Sequence, residues 1–503
     1  MEEATLKEFR ALIDTDPKRA IAEARKLETG TDLECIKAAI FIDAGYLIKS
    51  KETVSEGVSL IRHLLTDCPD NIGLKYNLGN GLHYLALLEE LKVPFWHLNT
   101  REKRSEARFL LSEVASNKDT PNKRATQAYT NLGNLLLSSY RWVEAYDAYH
   151  EALNKDQRNG VAAANLVNIL DRFMSLGIGH TQAMRNVAHK YAKLAAQSGQ
   201  QIREYAGIRP YQTIKKQIAK YLDGEEYSDE NFGLNSYQKF IKANRLHLSL
   251  TIEGAPFSQK HWDPLTISSI IEDINAGHEV PPIFAMMNTM KADYLAARWL
   301  AFTSLYNDNF PESGYYADTL DYALYGIKYS LITHAQRIAF DILDKIAVAV
   351  ANYLGFKKPE KASFRSIWHI YKGENSEDSS YFPKKIQTEI EEGNLPLIAL
   401  SEIADDLNDK RYLCIKKEMR HSSTHRFTIL HDELMGNYRN TRCISHFDIM
   451  DFEKGLIGTL QLVRASLIYF VEMVALKEAK ERKQSDLVPF LIVPSHHYIR
   501  GQD

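Results

Sequence analysis

The chain has 503 residues, 45% of them apolar and 25% charged, and a formal net charge of −3 at pH 7. That length accommodates two to four domains of about 100–200 residues each, and the slight acidity excludes polyanion binding through bulk charge, so any nucleic-acid contact needs a local basic patch. The cysteines Cys35, Cys68, Cys414 and Cys443 form no C-x-x-C pair, no apolar run is long enough to span a bilayer, and MEEATLKEFR lacks the basic-then-apolar order of a signal peptide, which argues against a cysteine zinc site and for a cytoplasmic protein.

Internal repetition dominates the first half. Ala44-Gly45, Leu78-Gly79 and Leu132-Gly133 each sit inside an apolar helical pattern, and the first two pairs are 34 residues apart. The clearest unit is Thr126–Gln157, in which Tyr129, Leu132, Gly133, Leu136, Ala145, Tyr149 and Ala152 recur at helix-hairpin spacing. Gly133 and Ala145 let two helices approach closely while the larger residues fill between them. In period and in these positions the segment resembles a tetratricopeptide repeat. The second and third units are 54 residues apart, so LALLEELKVPFWHLNTREKR is an insertion or an elongated helix pair. A further degenerate unit is expected over Gly160–Gln197. Such arrays stack into a superhelix whose concave face binds a partner.

Residues 201–315 carry weaker periodicity. A helix is expected to end near Gly224, an irregular stretch to cover SLTIEGAPFSQKHWDPLT, and a strong helical pattern to resume at PPIFAMMNTMKADYLAARWLAFTSLY. Leu324–Leu354 then repeats apolar residues at a 3.6-residue period, with Gly355 as its stop. Pro396 opens a helix through Leu397, Leu400, Ile403 and Leu407. A last long helix runs near Phe452–Arg482, with Cys443–Met450 as a linker before it. The residues SHHYIRGQD read as a tail.

Lys416–Arg426, KKEMRHSSTHR, carries the chemistry. Arg420 and His425 form an R-x4-H pattern with polar His421 after the arginine, and Arg411–Arg426 holds five basic residues against Glu418, a local charge of +4. Arginine matches two phosphate oxygens with its charged fork, and histidine exchanges protons near neutral pH. This motif, the long helix before it, the stretch NLPLIALSEIADDLND and the final helix together resemble the HEPN superfamily, and in particular HEPN domains fused to tetratricopeptide repeats in bacteria. The resemblance covers roughly 320–485. It implies an all-α fold: a repeat array over 1–200, a helical connector over 201–315, a HEPN-like bundle over 316–485 and a tail over 486–503. It also implies a metal-independent endoribonuclease, toxin-like or antiviral, in which the substrate's own 2′-hydroxyl attacks the phosphate. Arg420 and His425 would be catalytic, His421 and Asp341 supporting, and Lys416, Lys417 and Arg426 RNA-binding.

On an ideal helix, residues five apart point about 140° away from each other, so Arg420 and His425 would not share a face. A homodimer with both motifs facing its two-fold axis resolves this. Two other pairs compete, Arg426/His431 and Arg439/His446. Arg420/His425 is preferred because it follows the NLPLIALSEIADDL helix, where the family carries its motif. Asp341 and Asp344 either touch the motif or pair with Lys345 or Arg337. Some HEPN toxins continue R-x4-H-x-Tyr with a modifiable tyrosine; Phe427 stands there, which excludes that modification at this position. No Walker loop, H-E-x-x-H or G-x-S-x-G occurs, and no cofactor or metal is expected. The partners expected are RNA, a protein or peptide on the concave face of the array, and a second copy of the chain. The alternative function is a non-catalytic adaptor whose helical domain dimerises or binds RNA.

Overall fold

The structure, a computed structural model, describes residues 2–27, 30–175, 181–224, 233–249, 262–271, 280–311, 314–371, 380–407, 412–413, 419, 426–432, 440–484 and 489–491. The chain divides into two units: Met1–Glu230 together with Asp405–Cys414, and Asn231–Ala404 together with Ile415–Asp503.

The first unit is built from successive helix pairs: α1 (Glu2–Thr15) with α2 (Pro17–Ala24), α3 (Thr31–Leu47) with α4 (Lys51–Asp67), α5 (Ile72–Leu87) with α6 (Phe95–Ser116), α7 (Asn122–Ser138) with α8 (Trp142–Lys155), and α9 (Gly160–Ser175) with α10 (Thr181–Gln197). Connections of three residues, as between α7 and α8, fold each hairpin back on itself. The small residues set the spacing. A Cβ on Gly133 would lie 2.4 Å from the Tyr149 ring, and one on Gly79 would lie 2.9 Å from Leu111. One pair is tied to the next by Asn159, whose amide donates to Thr126 and Thr130 of α7 at 2.9 Å while its carbonyl oxygen caps the start of α9 through the Ala162 N–H at 3.0 Å. The irregular 54-residue interval holds α6, which runs 22 residues, and the longer connections 88–94 and 117–121 on either side of it, so the stretch is an elongated helix pair. Short α11 (Gly199–Ala206) and α12 (Ile208–Ile218) follow, and no strand occurs among the described residues of this unit.

The second unit is a helical bundle with short strands at its margins. Its elements are α13 (Ser236–Ala243), β1 (Ser269–Ile271), α14 (Pro282–Tyr306), β2 (Ala323–Leu324), α15 (Ile327–Tyr353), β3 (Ile370–Tyr371), β4 (Ser380–Tyr381), α16 (Lys384–Glu391), α17 (Pro396–Asp406), β5 (Phe427–His431), β6 (Ile444–Asp448), α18 (Ile449–Gln484) and β7 (Pro489–Leu491). The last two residues of α17 are counted with the first unit. Along α18, Phe452, Leu456, Leu460, Val463, Leu467, Phe470 and Val474 are all buried, three or four residues apart as a helix packed on one stripe requires. Among the described residues this is the one helix long and apolar enough to cross a membrane, and its apolar window lies mostly inside the bundle. Gln336 of α15 donates to Thr459 of α18 across the core at 3.1 Å. Gly355 takes φ +68 just past α15, the left-handed stop expected of it.

Two sequence expectations change here. Leu324 is not helical. Gly326 takes φ +125, which ends any helix extending towards it, and Leu324 pairs in β2 instead. Cys443–Met450 is not a linker: Ile444–Asp448 forms β6, running parallel to β5 with Phe427 opposite Ile444 and His431 opposite Asp448. Leu430 and Ser445 are buried on one face, while Phe427, His431 and His446 share the other, as strand alternation dictates. β2 completes this sheet antiparallel to β5. β1 pairs with β7 and β3 with β4. SHHYIRGQD lies outside the described residues.

Candidate active site

The R-x4-H motif enters and leaves through anchored neighbours. Arg420, His421, His425, Lys416 and Lys417 themselves lie outside the described residues. Met419, immediately before Arg420, is buried at 1% exposure. It rests on Gly455 of α18, where an added Cβ would come within 2.5 Å of the Met419 sulfur. On the other side Arg426 is exposed, and Phe427 begins β5, its N–H donating to the Cys443 carbonyl at 2.8 Å. A bundle helix and a sheet strand therefore hold the two ends of the motif.

The two histidines of the competing pairs meet in that sheet. His431 is fully buried. Its Nδ1 lies 2.9 Å from the Asp321 carbonyl oxygen, an acceptor only, so Nδ1 carries the proton. In the singly protonated ring Nε2 is then the acceptor, 2.9 Å from Nδ1 of His446, and His446 donates. The chain of bonds leaves the His446 lone pair on Nε2. Burial, then the neighbouring His431, hold His446 below the usual histidine range, with Asp321 opposing. At neutral pH such a ring is a proton acceptor. The backbone N–H of His446 donates to the Asn440 side-chain oxygen at 2.8 Å, so the asparagine of the Arg439-Asn440 pair touches the histidine of the same pair. Arg439 lies outside the described residues. Elsewhere in this unit Lys328 of α15 bonds Asp308 at 3.0 Å, which raises its pKa, and burial raises Glu453 of α18.

Asp341 sits exposed on α15. Asp344 accepts the Phe364 N–H at 2.8 Å, and Lys345 pairs with Asp293 of α14. His334 is exposed, and His369 is buried beside Phe382. Sequence reasoning missed the meeting of His431 with His446. The one signal was FTIL, an apolar run of strand length after Arg426; nothing in ISHFD repeats it, and only the observed register puts both histidines on one face. Among the described residues no group of three His, Cys, Asp or Glu is placed to hold a metal ion.

These features define a class: a helical-repeat array followed by a helical bundle with a histidine-bearing sheet at its margin. Residues 274–477 match the family model of LA2681-like HEPN domains; the chain is a tetratricopeptide-like repeat protein carrying a C-terminal HEPN domain. No curated protein matches it. A solved structure from work on Pseudomonas aeruginosa pilF is similar at 16% identity, covering 43% of this chain and 96% of its own, with a TM-score of 0.26. That score is too low to speak for the fold, which rests on the helix pairs themselves.

Proposed function

We propose that the protein is a metal-independent endoribonuclease of the HEPN type whose repeat array docks a partner. The observation that carries this is the R-x4-H motif lying inside the matched HEPN region, with Met419 and Phe427 anchored on either side of it. Arg420 stabilises the charge that develops on the attacked phosphate, and His425 transfers the proton between the 2′-hydroxyl and the leaving 5′-oxygen. His421 orients phosphate, Asp341 supports the motif, and Lys416, Lys417 and Arg426 hold the RNA backbone. Two copies of the chain face each other across a two-fold axis, and the setting is cytoplasmic, in a toxin-like or antiviral role.

The test uses purified protein, EDTA and a paired substrate in which one ribose at the cut site is ribo or deoxyribo. Cleavage survives EDTA, leaves a 2′,3′-cyclic phosphate or its hydrolysed form, and stops at the deoxyribose. Arg420→Ala and His425→Ala each lower the rate by about 10²–10⁴-fold, the usual size of a lost proton-transfer or charge-stabilising group. Equal cutting of both substrates would falsify the mechanism. A second site reading has its own support in the His446–His431 bond. If His446→Ala abolishes cleavage while Arg420→Ala does not, the mechanism stands and the site moves to Arg439/His446.

A further inference from the structure

One short pattern recurs on the first helices of three successive pairs: Asn77-Leu78-Gly79-Asn80 on α5, Asn131-Leu132-Gly133-Asn134 on α7 and Asn165-Leu166-Val167-Asn168 on α9. The two middle residues of each are buried. Asn80 is buried as well, and the other five asparagines are half-buried. Three residues apart, the two asparagines of one helix share a face, and there they meet those of the next helix. The Asn131 amide donates to the Asn80 side-chain oxygen at 2.9 Å and to the Tyr76 hydroxyl at 3.0 Å. The Asn165 amide donates to the Asn134 side-chain oxygen at 3.0 Å, which also accepts from the Tyr149 hydroxyl at 2.8 Å. The Asn168 amide donates to the Gln217 side-chain oxygen of α12 at 3.4 Å. The second asparagine of each helix is thus joined to the next helix, and three such rungs run along the face where the first helices lie side by side. In a helical-repeat array that is the inner, binding face.

A helix face turned only to solvent carries mixed charged and polar residues; all six of these positions are neutral amides. Their neighbours hold them by one half of the amide and leave the other half to spare. The Asn134 nitrogen and the Asn131 and Asn165 side-chain oxygens take no hydrogen bond among the described residues. A carboxamide offers both donor and acceptor, as a peptide unit does. We infer that this face docks an extended segment of a partner protein, read through its main chain by the asparagine rungs. The inference rests on the docking role proposed for the array, not on the nuclease chemistry. RNA suits the rungs poorly, because phosphates call for Lys or Arg and none of the six positions carries either. Packed helices lie about 8–10 Å apart and an extended chain rises about 3.3 Å per residue, so successive rungs meet about every third residue. Three rungs engage a segment of about seven to nine residues. Because the amides are held before the partner arrives, little side-chain freedom is lost on binding. Main-chain recognition leaves the partner's side chains loosely specified, provided that its backbone is extended and its N–H groups are present.

The probe is a fluorescein-labelled library of nonapeptides of mixed sequence, titrated with the full chain and read by fluorescence anisotropy. A second library has the same side chains with every backbone amide N-methylated. The first is expected to bind saturably and the second at least about ten-fold more weakly, the scale of one or two lost hydrogen bonds. The full chain carrying Asn134→Ala and Asn165→Ala should lose binding of the first library by a similar factor. If that variant does not fold, as read by circular dichroism, the two libraries on the unaltered chain decide alone. Equal binding of the two libraries leaves a docking array standing and overturns the main-chain reading; binding of neither overturns both. Undiminished binding to a folded Asn134→Ala/Asn165→Ala chain also overturns the inference. So does binding of labelled oligouridine that this double change abolishes, which would make the face an RNA site. RNA cleavage is measured in parallel: peptide binding without cleavage leaves the docking site standing and removes the nuclease reading.

Discussion

His83 of α5 is buried near Arg104 and Arg108 of α6. Burial first, then Arg104 and Arg108, push its pKa down to about 4. The unfolded chain, with an ordinary histidine near 6.5, takes up the proton first. The neutral folded form is therefore at full stability above about pH 6.5, and stability is lost progressively as the pH falls towards 4, up to about 3 kcal/mol at 1.4 kcal/mol per unit of pKa. Thermal melting of the unaltered chain and of His83→Gln between pH 7 and 4.5 tests this: the variant should lose much less on acidification. Equal slopes would remove His83 from the account. His446 lies in the same sense as His83 but is only partly buried, and solvent screening makes its contribution smaller.

At the scale of elements, the contact between Met419 and α18 is the one to test. Filling Gly455 forces the Met419 side chain aside, and a thioether can move at modest cost. Gly455→Leu should cost about 1–3 kcal/mol of stability. It should also lower RNA cleavage by about ten- to hundred-fold, the scale of a 1 Å misplacement of a catalytic group. Met419→Ala in the same chain makes room and should restore stability. If it restores stability and cleavage stays low, Met419 itself sets the position of the motif; if cleavage was never affected, the anchor carries no function.

The helix pairs were legible because glycine and alanine at hairpin contacts leave a pattern that repeats, and Gly133 against Tyr149 is that pattern realised. The long helices were legible because one apolar stripe at a 3.6-residue period has few other uses. β5 and β6 were harder. Each is five residues long, and the parallel partner of each is named nowhere in its own sequence. The polar stripe on α6 was visible as Thr100, Arg101, Arg104, Ser105 and Arg108 at helical spacing, but such a stripe ordinarily faces solvent. Only Asp406, 298 residues beyond Arg108, turns it into a buried one, and no local pattern announces a partner at that distance.

For the whole molecule, the question is whether one chain or two complete the site. If Arg420 and His425 act across a two-fold axis, mixing the inactive proteins Arg420→Ala and His425→Ala should restore up to about a quarter of the activity. In the statistical mixture half of the dimers are hybrid, and each hybrid holds one intact composite site. No recovery, in preparations shown by sedimentation to exchange subunits, would place both residues of a working site in one chain. A protein that sediments only as a monomer at micromolar concentration with full activity would leave no role for the dimer.

The return of Asp405–Cys414 into the first unit also has a consequence in time. Chains are made from the N-terminus, at roughly 5–20 residues per second. The helices up to residue 230 are therefore complete roughly 10–35 s before Asp406 is joined to them. During that interval Arg108 is without Asp406, and Arg141 is served by Glu144 alone of the two carboxylates it bonds in the finished chain.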